Sequence, residues 1–279
     1  MKTDQPQVFQ VDAFTDTPFR GNPAGVCLLA AEPKAAWMQA IAAEMNCSET
    51  AFLWPLADAG EQAYRIRYFT PAVEVPLCGH ATLSAGHLLF ESGRVPRSER
   101  IVLQANADRL EATAEGEWVC LRFPAYASMP IESPSGLAEA LGAEPLAVYA
   151  TTTHVHLVEL PSEEAVRALR PDFPALLDDR YWGVCVTAPS RDPAYDFCSR
   201  FFAPQVGVTE DPVTGVAHCC LGPFWADRLG KSQIVGHQVS ARGGVVRVRV
   251  APDGETVELL GQAVTVFDIS LRDDAAENR

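Results

Sequence analysis

One motif occurs twice in this chain. Residues 65–82 read RIRYFTPAVEVPLCGHAT, and residues 200–218 read RFFAPQVGVTEDPVTGVAH. Arg200, Phe202 and Pro204 lie 133 positions beyond Arg67, Phe69 and Pro71 (200 − 67), whereas Gly215 lies 136 beyond Gly79 (215 − 79), so three residues are inserted between. Each glycine opens an apolar, helix-like run, and these end at Gly93 and Gly230, where a left-handed C-terminal cap is expected. Arg-x-Phe-x-Pro, then glycine, helix and glycine, in one order twice, commits the chain to two related halves. Each copy starts as a strand, with Ile66 and Tyr68 on one side and Arg67 and Phe69 on the other in the first. Strand, tight turn and helix in that order aim the unpaired N–H groups of a helix N-terminus forward, which suits an anion.

The chain has 279 residues, 48% hydrophobic and 21% charged, enough for two lobes of moderate size. A formal charge of −14 repels nucleic-acid backbones and anionic membrane surfaces, and no basic block offsets it. The start, MKTDQPQVFQ, lacks an apolar core of signal-peptide length, and no long uncharged apolar run follows, so a cytosolic location is expected. The eight cysteines, Cys27, Cys47, Cys78, Cys120, Cys185, Cys198, Cys219 and Cys220, form no C-x-x-C pair and suit small buried hydrophobes of a reducing compartment. Only Cys78 has neighbours that suggest more.

Along the chain, QVFQVDAF alternates and runs into a turn-rich segment around Gly21, Asn22, Pro23 and Gly25, a turn that would expose the Asn22 side chain. PKAAWMQAIAAEMN reads as an amphipathic helix with Pro33 in its first turn and Trp37, Ile41 and Met45 facing the core. Ser48, Glu49 and Thr50 then precede an apolar strand; a carboxylate there is ordinarily a solvated charge or a backbone cap. Strands are predicted at 101–104, 109–114 and 118–123, before a Pro/Ser cluster from Pro124 that marks the lobe boundary. The expected lobes are 1–126 and 127–279, with the packing of the last strand on the N-terminal lobe left open. The second half predicts helices near 137–141 and after Pro161, and strands at HVHLVEL, 182–187, 196–202, GVVRVRVA and TVELLGQAVTVFDISL. No G-x-G-x-x-G follows a strand, which speaks against a dinucleotide or P-loop site.

Several constellations could carry chemistry. Helix starts at Gly79 and Gly215 could bind a carboxylate or stabilise an enolate, or be two ordinary turns. His80 could donate to that anion or move protons, or be a buried structural histidine. Glu210 and Asp211 precede the second turn; one carboxylate could transfer protons, or both could be a solvated pair. Cys78 beside a helix start could be a thiolate base, although its counterpart is Thr214. His154 and His156, read as two apart on one strand face, and the adjacent His218, Cys219 and Cys220 suggest a metal only weakly, and no metal site is assigned.

With these residues in hand, the chain resembles the PhzF family, the phenazine-biosynthesis-type isomerases, which share the diaminopimelate epimerase fold. The resemblance runs over nearly the whole length, through VDAFTDTPFRGNPAGV, EMNCSETAFL, RYFTPAVEVPLCGHATLSAG and RFFAPQVGVTEDPVTGVAH. It implies an α+β fold of two pseudo-symmetric lobes, each a mostly antiparallel sheet curled around a central helix, with the site in the cleft between them. It also implies a homodimer and no cofactor. Glu49 in SET matches the family's catalytic glutamate, which takes a proton from one substrate carbon and returns it to another; in the phenazine branch the substrate is a dihydro-hydroxyanthranilate. His80 and Asp211 match the accompanying polar residues, and Asn22, Gly79 and Gly215 match substrate-holding positions. Two departures stand out. The family usually has Ser after the second glycine, where this chain has Val216, and Cys78 resembles the first cysteine of the epimerases while its partner position holds Thr214.

The expected activity is therefore a cofactor-independent isomerisation of a small carboxylate. Glu49 moves the proton, His80 and Asp211 assist, and Asn22, Cys78, Gly79, Gly215 and Val216 line the substrate. The alternatives are a racemase or epimerase that opposes Cys78 to Glu49, and a binding protein that kept the site without the chemistry.

Overall fold

The computed structural model describes residues 6–56, 62–178, 180–272 and 275. The chain divides into two compact units, residues 1–122 with 260–279, and residues 123–259.

The first unit opens with β1 (Gln7–Ala13) and β2 (Asn22–Leu28), an antiparallel pair. Next come α1 (Ala35–Met45), β3 (Glu49–Pro55), β4 (Ala63–Phe69) and the two-residue β5 (Glu74–Val75). Then follow α2 (Gly79–Glu91), β6 (Ile101–Gln104), β7 (Arg109–Glu115) and β8 (Trp118–Pro124). The last strand of the chain, Ala263–Ile269, returns to this unit and pairs antiparallel with β1. Every residue of α2 from His80 through Phe90 is buried. A helix with small and apolar residues on all sides, and only His80 and His87 among its buried ionisable groups, has no face to leave in water, so strands pack round it: β1, β2, β3, β7 and the final strand all touch α2. Fully buried Leu83 and Leu89 contribute ~2 kcal/mol each. On the other side of the sheet α1 buries Trp37, Met38, Ile41 and Ala42. Phe52 meets Trp37 and Phe69 edge-on, with ring centroids 6.1 and 5.5 Å apart.

The second unit contains β9 (Ser128–Ile131), α3 (Leu137–Leu141), β10 (Ala147–Thr151), β11 (Val155–Glu159), α4 (Glu163–Ala168), β12 (Gly183–Pro189) and β13 (Phe197–Ala203). A 3₁₀ turn, Pro204–Val206, leads to β14 (Val208–Asp211) and α5 (Gly215–Leu229). The chain ends with β15 (Gln233–Gln238), β16 (Gly244–Val250), β17 (Thr256–Gly261) and β18, the final strand already described. Helix α5 buries Ala217 through Gly222 with Phe224 and Trp225, and packs on β15 and β16. A separate apolar cluster on the other side joins Leu137, Val148, Val158, Val166, Leu176 and Phe202.

The two units repeat one wiring diagram. β1–β2 and β10–β11 are antiparallel, β2–β3 and β11–β12 parallel, and β3–β4 and β12–β13 antiparallel. β4 pairs antiparallel with β5 and parallel with β6, as β13 does with β14 and β15. Side chains repeat too. Arg67 makes a two-pronged ion pair with Glu74 at 2.8 and 2.7 Å and lies over Phe69, while Arg200 pairs with Glu210 at 2.7 and 2.9 Å and lies over Phe202. Glu210 already lies 136 beyond Glu74 (210 − 74), so the inserted residues fall between Pro204 and Glu210, where the 3₁₀ turn sits.

Some elements differ from the sequence expectation. Pro33 precedes α1, whose N-cap is Lys34, and Asn22 is a fully buried strand residue opposite Ala13 rather than an exposed turn residue. The turn is made one residue earlier by Gly21, at φ +63. His154 adopts φ +57 in the turn before β11, so it shares no strand face with His156, which is buried against Tyr181. The Pro/Ser cluster includes a strand, β9, paired with β10. Among the described residues no helix is long and apolar enough to cross a membrane.

Candidate active site

Three of the expected site residues meet in the first unit. Glu49 is the first residue of β3, and His80 is the second residue of α2, 31 positions later (80 − 49). The imidazole Nε2 lies 3.4 Å from Glu49 Oε2 and 3.3 Å from Ser48 Oγ. On its other nitrogen, Nδ1 lies 3.4 Å from Cys78 Sγ. The His80 side chain is only 8% exposed, whereas Glu49 keeps 22% of its side chain open. A carboxylate that water can reach, backed by a buried imidazole, is placed to accept or deliver a proton while its charge is steadied.

Local sequence explains how the carboxylate comes to lie there. β2 and β3 run parallel, with Ala24 opposite Glu49 and Gly25 opposite Thr50. Thr50 is completely buried, and a Cβ on Gly25 would fall 2.5 Å from its Oγ1. Glycine is therefore required for β2 and β3 to approach this closely beside Glu49. Asn22 lies two residues before Ala24 on the same strand and is fully buried.

The start of α2 is braced from inside. Thr82 Oγ1 donates to the Cys78 carbonyl at 2.7 Å, and Tyr68 Oη lies 2.6 Å from Thr82 Oγ1. Burial raises the Tyr68 pKa above its ordinary range, so the phenol stays protonated and serves as a brace. Neither α2 nor α5 has a side-chain N-cap hydrogen bond, and neither has an acidic residue in its first turn. Gly79 and Gly215 are the first residues of the two helices, so the opening N–H groups of each are not taken up by a capping side chain.

In the second unit Asp211 ends β14 and accepts a hydrogen bond from Thr214 Oγ1 at 2.5 Å. The neighbouring Glu210 is occupied by Arg200, so of this acidic pair only Asp211 is left to serve the start of α5. A residue that the sequence did not point to organises this turn. Gln238, fully buried at the end of β15, donates to the Asp211 carbonyl at 2.7 Å and to Thr214 Oγ1 at 3.1 Å, and its Oε1 accepts from Thr214 N at 3.0 Å. Its position, 24 residues beyond Thr214 in an unremarkable strand, carries no local signal. His218 Nδ1 lies 2.8 Å from the Thr214 carbonyl, the role Thr82 plays for Cys78 at the same offset of 136 (218 − 82). Val216 answers His80 and is half-buried, with no hydroxyl to offer.

Among the described residues, Glu49, Cys78 and His80 are the one set of three whose ligand atoms, all within 4.8 Å of one another, could hold a metal ion. His218, Cys219 and Cys220 are each buried in α5, and burial raises the pKa of both thiols, Cys220 to about 11. The Cys27 thiol is likewise pushed up to about 12. These are core residues.

A mostly antiparallel α+β unit built twice around buried helices is a fold that solved epimerases and racemases also adopt. Residues 11–269 match the PhzC-PhzF family, described as phenazine biosynthesis-like protein, and the chain belongs to that family. An uncharacterized isomerase of Pseudomonas aeruginosa is 50% identical over 268 residues, which cover 96% of this chain and 99% of that protein. The crystal structure of a PhzF-family phenazine biosynthesis protein from Enterococcus faecalis superposes with a TM-score of 0.89 at 35% identity, covering 96% of this chain and 100% of that one. A hydroxyproline epimerase from Agrobacterium vitis, at 14% identity, shares the fold with a TM-score of 0.58 over 99% of this chain and 100% of that one.

Proposed function

We propose that the protein is a cofactor-independent isomerase that moves a proton between two carbons of a small carboxylate substrate. The observation that carries the proposal is Glu49, partly open to solvent and 3.4 Å from the buried His80 imidazole, at the start of a helix whose first N–H groups lack a side-chain cap. Glu49 takes the proton from an acidic C–H and becomes a neutral carboxylic acid. The electron pair left behind delocalises toward the substrate carboxylate, and Glu49 returns the proton to a second carbon, so nothing is oxidised or reduced. His80 steadies the glutamate charge, and the backbone at Gly79 holds the substrate anion, with Asn22 and Cys78 beside it. The resemblance to the family implies that Gly215, Val216 and Asp211, the last set by Thr214 and Gln238, also serve the substrate. The family membership supports a homodimer as the working form.

Small carboxylic and amino acids incubated with the protein in deuterated water identify the substrate by enzyme-dependent deuterium uptake. Glu49→Gln keeps the shape and removes the base, and is expected to slow uptake by ~100-fold or more. An unchanged rate would refute the role of Glu49. A second reading, an epimerase that uses Cys78 with Glu49, draws on the thiol lying 3.4 Å from His80 Nδ1. Cys78→Ala abolishes turnover under that reading and spares it under the first.

A further inference from the structure

We infer that Glu49, Cys78 and His80 form a binding site for a zinc-class divalent ion, which would occupy the proton-transferring carboxylate and act as an inhibitor. Zinc with one thiolate, one imidazole and one carboxylate ligand has bonds of ~2.3, ~2.0 and ~2.0 Å, and a tetrahedron of those bonds has edges of ~3.3–3.5 Å. The donors already stand near that figure. His80 Nε2 is 3.4 Å from Glu49 Oε2 and 4.0 Å from Cys78 Sγ, and the three ligand atoms lie within 4.8 Å of one another. Rotamer changes of under an ångström to about one ångström at Glu49 and Cys78 close the remaining gap, and both side chains are carried at element starts, where such adjustment is cheap.

Donor chemistry selects the ion. A thiolate and an imidazole favour zinc or cadmium over magnesium or calcium, which prefer sets made wholly of oxygen. Charge balances as well: a dication on one thiolate, one carboxylate and a neutral imidazole leaves a neutral cluster, and the thiol proton passes to the buffer on binding. Ser48 Oγ, 3.3 Å from the same Nε2, gives up its contact with that nitrogen. The partial exposure of Glu49 leaves the fourth position toward solvent for water or a substrate oxygen. The remaining described thiols, all buried, contribute no second set of this kind.

The site uses side chains assigned to proton transfer, but its occupancy is measured without turnover, so the two proposals stand or fall separately. The test takes the full-length protein without a polyhistidine tag, reduced, stripped with a chelator and titrated with zinc chloride in a calorimeter. One zinc per chain is expected, and Cys78→Ser and His80→Gln should each weaken binding about tenfold or more, ~1.4 kcal/mol. Absence of binding, or binding undiminished in both variants, overturns the proposal. A second measurement needs no variant: zinc should slow iodoacetamide labelling of Cys78, followed peptide by peptide in a mass spectrometer, and a chelator should restore it. A Cys78 labelling rate indifferent to zinc also overturns the proposal.

Discussion

Acidification should unfold this protein in part through one imidazole, that of His218. The side chain is completely buried, with Nδ1 2.8 Å from the Thr214 carbonyl, which makes Nδ1 the protonated nitrogen, and Nε2 has no hydrogen-bond partner among the described residues. Phe197 lies 5.9 Å away, ring to ring. Burial drives the His218 pKa down to about 4, only partly offset by the bond to the Thr214 carbonyl. An unfolded chain binds a proton on this histidine below about pH 6.5, while the folded chain does not until about pH 4. The native state therefore has its full advantage above pH 6.5 and loses it as pH falls. At ~1.4 kcal/mol per pH unit the loss reaches ~2 kcal/mol at pH 5 and ~3 kcal/mol at pH 4. Burial also lowers the pKa of His87 and His156, and Arg67 and Arg180 hold the Glu74 and Asp178 carboxyls low, which adds to acid unfolding in the same direction, so the assay is a difference. Urea unfolding of wild type and His218→Asn, which keeps a nitrogen donor toward Thr214 but cannot titrate, is followed at pH 7, 6 and 5. The variant starts less stable because of the lost ring volume, and the gap should narrow by ~2 kcal/mol between pH 7 and pH 5. A gap independent of pH, or a His218 ring that titrates near 6.5 by NMR, would contradict the burial account.

Other expectations follow from the same packing. Gln238→Leu removes the acceptor for Thr214 N and the donors to Asp211 and Thr214; it should cost ~3 kcal/mol in urea unfolding, and no measurable loss would mean that the turn supports itself. Arg200→Met should cost more than Arg67→Met, ~2–3 kcal/mol, because Arg200 also donates to the Val166 and Leu169 carbonyls; equal losses would show that the pairs with Glu210 and Glu74 decide alone. Gly25→Ala drives a Cβ into Thr50 and should destabilise by ~1–3 kcal/mol, with most of that recovered in the Gly25→Ala, Thr50→Ala double variant; strict additivity would rule out the clash.

Much of this architecture is local and could be read directly. The helices open at Gly79 and Gly215, as the strand–glycine–helix order required, and Gly93 and Gly230 take positive φ at their ends. The helix at 137–141 and the strand at 101–104 fall where predicted, because their apolar periodicity and flanking turns are continuous in sequence. Strands β5, β14 and β15 carry no such period; β5 exists because it pairs with β4, β14 because it pairs with β13, and β15 because it pairs with β13 and β16. Gly-Asn-Pro reads as a turn that exposes Asn22, whereas pairing with β1 draws the asparagine into a strand.

The site divides along the same line. Cys78 and His80, two residues apart at a helix start, announced themselves, and the repeat showed that Thr214 and Val216 are their counterparts. Glu49 stood out only through resemblance, since a carboxylate before a strand is ordinarily a solvated charge; its distance from His80 exists because parallel pairing of β2 and β3 sets where β3 begins. Gln238 could not be found from sequence, because hydrogen bonds across 24 and 27 residues leave no local pattern. Local order determined the two-fold plan, its helices and its turns. Tertiary pairing decided which carboxylate faces the imidazole and which amide holds the second turn, because those contacts join residues that sequence keeps far apart.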